Sequence, residues 1–66
     1  MTRVALTPRQ HEVLRLLGQG LTTGEIADRL VCAHATVRNH VQAILVRLGC
    51  RSRLAAVVEA QRLGLI

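Results

Sequence analysis

The sequence has no Phe, Tyr or Trp, no Lys, and a single Pro in 66 residues. Without aromatic rings it cannot build the stacking platforms on which single-stranded nucleic-acid binders hold bases, which excludes that class. Long apolar runs are also missing. The longest, Leu54 to Val58, falls far short of the roughly 20 residues that span a bilayer. The opening residues Met1 to Pro8 lack the apolar stretch of a secretory signal, so the expectation is a soluble, cytoplasmic chain with no membrane partner. Period-two alternation and Asn-Gly or Asp-Gly hairpin signals are absent, and no strand is expected.

Length sets further bounds. A chain of this size is one domain, residues 1–66, and buries only about 60% of the surface its unfolded form exposes. A cleft of about 300 Å³, the lower range for a drug-sized substrate, is not expected in so small a core. No nucleophile, base and orienting group can be assembled from Ser52, Cys50 and the three histidines, so an enzyme is not the reading. Cys32 and Cys50 are read as reduced, small hydrophobes at apolar positions. Zinc would have to recruit His34 or His40 without a paired C-x-x-C spacing, and a disulfide is the remaining alternative. The expectation is no metal and no cofactor.

What is present is positive charge, unevenly placed. The chain carries +5 net, with nine arginines against Glu12, Glu25, Asp28 and Glu59. From Arg29 to Val58 there is no acid, while Arg29, Arg38, Arg47, Arg51 and Arg53 all fall inside. The whole net charge therefore sits on that segment, the pattern of a polyanion-binding face.

Helix signals recur along the chain. Thr7-Pro8-Arg9-Gln10 combines a capping hydroxyl, proline at the first helical position and a glutamine that completes a capping box. Gly18 and Gly20 close that helix. Thr22-Thr23-Gly24-Glu25 repeats the box ahead of Ile26, Ala27 and Leu30. From His34 the apolar positions Val37, Val41, Ile44, Leu45 and Leu48 keep helical spacing up to Gly49, with Arg38, Asn39, Gln42 and Val46 on the opposite side. Ser52 caps a last helix, in which Ala56, Val57, Ala60 and Leu63 line the core. The expected fold is all-α, a four-helix bundle over about 8–17, 23–30, 34–48 and 53–63.

Only Val31 to Ala33 separate the second and third helices, the length of the turn in a helix-turn-helix, whose second helix enters the DNA major groove. Arg forks onto guanine, and Asn or Gln pairs with adenine edges, so Arg38, Asn39 and Gln42 are the candidate base readers. Arg51 and Arg53 sit at the start of the fourth helix, where the dipole is already positive and an anion would be needed to offset them. DNA phosphate is the expected partner of Arg51, and an internal group such as Glu12 that of Arg53. Leu54, Val58 and Gln61 lie together on a side of the fourth helix that one buried face does not require, a candidate dimer surface.

The runs Leu6-Thr7-Pro8-Arg9, Glu12-Val13-Leu14, Gly20-Leu21-Thr22, Glu25-Ile26-Ala27, Thr36-Val37-Arg38-Asn39-His40, Leu48-Gly49 and Arg51-Ser52-Arg53 occur in an order and spacing that resembles the LuxR-type (GerE/FixJ-like) DNA-binding domain along nearly the whole chain. The resemblance implies the output module of a bacterial transcription regulator, with double-stranded DNA as partner and the third helix reading bases through Arg38, Asn39 and Gln42. It also implies that Thr36, His40 and Arg53 lie near the phosphate backbone, and that the fourth helix supports a weak homodimer. RNA polymerase is an expected further partner, and the expected location is the cytoplasm, at the nucleoid. Ala33 departs from the family pattern, which has a capping Ser there; His34 and Ala35 also stand at positions often polar or charged. The alternatives are a sigma-factor-like promoter-binding module and a helical interaction module that has lost DNA binding.

Overall fold

The computed structural model describes residues 5–66 and contains four helices: α1 Pro8–Gly18, α2 Thr23–Leu30, α3 His34–Leu48 and α4 Arg53–Arg62. Two of the expected ends move by one residue, within the fraying of any helix terminus. Met1 to Val4, which entered the reading of the leader, lie outside the described residues.

Three helices begin on a hydroxyl. Thr7 accepts from the Gln10 N–H at 3.1 Å and Thr22 from the Glu25 N–H at 3.2 Å, and each box is closed by the Gln10 or Glu25 side chain reaching back. Ser52 accepts from the Ala55 N–H at 3.1 Å. These bonds satisfy backbone donors that have no partner inside a helix. α3 is the exception. Ala33 holds a cap conformation, φ −76° and ψ 152°, but has no side chain to cap with.

All four helices end the same way. A residue at positive φ reverses the chain, and the next N–H returns to the carbonyl five residues back: Leu21 to Leu16, Cys32 to Ala27, Cys50 to Leu45 and Leu65 to Ala60. The reversing residues are Gly20, Val31, Gly49 and Gly64. Glycine is the usual choice because it has no Cβ to clash in this region. Val31, at φ 54° and ψ 56°, does the same with a β-branched side chain that is 90% exposed.

The core is wholly aliphatic. α1 supplies Val13, Leu14, Leu16 and Leu17; α2 Ile26 and Ala27; α3 Val37, Val41 and Ile44; α4 Ala56 and Ala60. No polar or charged residue is buried among the described residues. Ala27 and Val37 lie in this one cluster, as a close approach of α2 and α3 across a short turn requires.

One expectation is corrected at the chain end. Leu63 does not line the core but is 41% exposed, because α4 stops at Arg62 and Gly64 turns the chain back. Leu65 and Ile66 pack on the core in its place, and His11 of α1 hydrogen-bonds the Leu65 carbonyl. Gly18 is the last residue of α1, and a Cβ there would lie 2.9 Å from Ile66 Cδ1, so its bareness seats the returning tail.

Candidate nucleic-acid interface

α3 is held by one face and shows the other. Val37, Val41 and Ile44 fasten it to the bundle, with Leu45 and Leu48 half-buried beside them. Arg38, Asn39, Gln42 and Val46 are all exposed on the opposite side. Arg38 and Gln42 are one turn apart, so their head groups project from the same strip. Thr36 is exposed near the start of the helix and His40 is half-buried.

No arginine between Arg29 and Arg53 forms an ion pair among the described residues. The two pairs present, Arg9–Glu12 at 3.1 Å and Arg62–Glu59 at 2.7 Å, involve arginines outside that segment. Arg29 lies beside Glu25 and Asp28, but the charge of Arg38, Arg47, Arg51 and Arg53 is not cancelled by an ion pair and remains available to a polyanion. The acids whose titration is perturbed lie elsewhere. Glu25 is held below the usual carboxylate value of 4.5 by the hydrogen bonds from the Thr22 backbone and side chain, with Arg29 adding to the effect. Glu59 is lowered by its hydrogen bond from Arg62.

Arg51 is exposed in the connection between α3 and α4. Arg53 finds the internal partner expected of it, but that partner is not Glu12. Arg53 Nη2 donates to the Thr23 hydroxyl at 2.6 Å, while Glu12 takes Arg9, three residues away on its own helix. α4 packs on α1 and α3, and the long Arg53 side chain reaches from its first turn to the start of α2. Leu54 and Val58 are 74% and 55% exposed, and Gln61 is exposed as well.

Three contacts were not legible in the sequence. Arg47 Nη1 donates to the Ala5 carbonyl at 2.9 Å, fastening the entry to α1 onto α3. The His34 ring lies over Gly24, where a Cβ would come within 3.2 Å of its Cε1. His11 binds the returning tail, as described. Each joins residues at least ten apart, which local patterns do not report. Cys32 and Cys50 are half-buried free thiols on the edge of the core.

The surface carries shallow depressions, one where α1 meets α4, one along α2 and one where α3 meets α4. Each is an open depression with exposed arginine at its wall, Arg53, Arg29 or Arg47 respectively. No helix among the described residues is long and apolar enough to cross a membrane.

The family model of the luxR family of bacterial regulatory proteins matches residues 4–60. The chain belongs to that family. It is 48% identical over 59 residues to the spore germination protein GerE of Bacillus subtilis (strain 168), a match covering 89% of this chain and 80% of that protein. A solved structure of the transcription factor GerE superimposes with a TM-score of 0.86 at 36% identity, covering 96% of this chain and 94% of that one. The response regulator ChrA of a heme-sensing two-component system gives a TM-score of 0.91 at 38% identity, over all of this chain but 33% of ChrA. The transcriptional regulatory protein LnrK of B. subtilis (strain 168) is 44% identical over 89% of this chain and 27% of LnrK. This luxR-family domain thus spans most of GerE and about a quarter to a third of LnrK and ChrA. The four-helix architecture with a helix-turn-helix at α2 and α3 is the fold shared with the GerE and ChrA structures.

Proposed function

We propose that this luxR-family domain binds double-stranded DNA sequence-specifically, as the output module of a bacterial transcription regulator, with α3 in the major groove. The observation that carries the reading is the outward strip of α3. Arg38, Asn39 and Gln42 stand clear of the bundle on a helix whose other face is buried, in a segment whose arginines have no carboxylate partner. In this reading those three residues choose bases, and Thr36, His40, Arg51 and Arg53 hold or support the phosphate backbone. The hydrogen bond from Arg53 to Thr23 fits a supporting role, since it fixes the guanidinium beside the start of α2. The site of action is the cytoplasm, at the nucleoid.

A mobility-shift series on a site selected from a random duplex library tests this. Affinity should fall with salt by about 0.9 log units per decade for each phosphate neutralised. Arg38→Ala should cost about 1–3 kcal/mol on the selected site, as expected for loss of a bidentate guanine contact. A loss no greater than that on random duplex would remove Arg38 from base reading, and failure to bind random duplex at low salt would refute the function itself.

The exposure of Leu54, Val58 and Gln61 supports a weak homodimer through α4, formed on half-sites about one helical turn apart. Sedimentation of wild type and Leu54→Glu on DNA carrying two half-sites distinguishes the outcomes. Only wild type should assemble as a pair, and equal assembly of both would rule out this surface. RNA polymerase is the further partner that a regulator bound at a promoter would meet.

A further inference from the structure

The outward strip of α3 holds one residue that the proposed reading leaves without a task. Val46 is 70% exposed on the side opposite Val37, Val41 and Ile44. A lone exposed valine is ordinary. Its alignment is what matters. Residues 39, 42, 43 and 46 recur at intervals of three, four and seven, which places them on one face over two turns. That is the spacing with which a homeodomain helix reads bases across the major groove. At 1.5 Å per residue the strip from Asn39 to Val46 covers about 10.5 Å, within a groove about 12 Å wide. Ala43, half-buried between them, adds no bulk that would hold the helix off the bases.

We propose that Val46 is a fourth specificity-determining residue, reading the 5-methyl group of a thymine at the edge of the site by apolar contact. This inference rests on the DNA-binding reading above. Duplex DNA is the occupant favoured here, because Val46 continues the strip of Arg38, Asn39 and Gln42 and lies beside Arg47, while the one carboxylate that shares its depression, Glu59, is neutralised by Arg62 at 2.7 Å. The major groove offers one apolar feature to such a side chain, the thymine methyl. Exposed as it is, Val46 contributes little to the core, so replacing it leaves the fold intact.

The experiment is a double-mutant cycle on the selected site. Each thymine is replaced in turn by deoxyuridine, which differs only by the missing methyl, and binding of wild type and Val46→Ala is measured. At one thymine, loss of the methyl should weaken wild type about fourfold, the factor for one buried methyl-sized group, and leave Val46→Ala unchanged. Both proteins should bind random duplex equally and melt at the same temperature. Equal deoxyuridine penalties for the two proteins at every position, or none for either, would overturn the assignment. Wild type that discriminates its site but shows no Val46-dependent thymine defeats this inference alone. Wild type that fails to bind random duplex defeats the underlying function as well.

Discussion

Val31 is the one chain-reversing residue of the four that is not glycine, and replacing it should stabilise the domain. An L-residue in the left-handed region carries a cost of about 1–2 kcal/mol, from crowding of its Cβ against the following carbonyl. Val31→Gly removes that term. The side chain is 90% exposed, so almost no burial is lost with it. Against the gain stands glycine's greater freedom in the unfolded chain, about 0.5–1 kcal/mol. The net should be a stabilisation of up to about 1.5 kcal/mol, centred on about 0.75 kcal/mol. For a domain this small, 1 kcal/mol moves Tm by about 4–8 °C, so the central expectation is a rise of about 3–6 °C. Thermal unfolding followed by far-ultraviolet circular dichroism measures it directly. The reciprocal change Gly49→Val, at φ 67°, places the same side chain in the same backbone region with open space around it and should lower Tm. A Tm for Val31→Gly at or below that of the parent would refute the reasoning, most clearly if Gly49→Val were also neutral.

Ala33→Ser should add the missing cap to α3 and raise stability by about 1 kcal/mol, because the backbone already holds a cap conformation like that of Thr7 and Thr22; an unchanged melting curve would show that the Thr36 N–H is not accessible to the new hydroxyl. Acid should weaken the fold through Glu25 and Glu59. Their folded pKa values are lowered, so their contribution is complete above the unfolded value of 4.5 and is lost as pH falls through the folded values. Melting temperatures recorded from about pH 6 to about pH 3 should fall less steeply for Glu25→Gln than for wild type, whose carboxylate loses the charge that strengthens its bond from the Thr22 N–H; parallel curves would remove Glu25 from the acid response.

What could be read from the sequence was what is decided locally. The boxes at Thr7 and Thr22, the Ser52 cap and the stop at Gly49 each involve residues no more than five apart, and all form. The division of α3 into a buried and an outward face follows from a 3.6-residue period and also stands. The failures share a cause. Arg53 finds Thr23 rather than Glu12, and Ile66 settles over Gly18, because the relative placement of helices depends on the packed core and not on neighbours in the chain. Leu63 was assigned inward by a period that assumed one more residue of helix. Val31 was invisible for a different reason: nothing in a Leu-Val-Cys-Ala run signals a reversed backbone, where Gly or Asn would have. Among the site residues, spacing alone put Arg38, Asn39 and Gln42 on one exposed strip, but it gave no sign that the His34 ring lies across Gly24.

The all-aliphatic interior has a practical corollary. With no Phe, Tyr or Trp anywhere in the chain, the folded and unfolded protein are equally dark in the near ultraviolet. A fluorescent base placed in the duplex therefore reports on the nucleic acid alone, with no emission from the protein to subtract. A single tryptophan introduced at an exposed site would be an equally unambiguous beacon for the polypeptide.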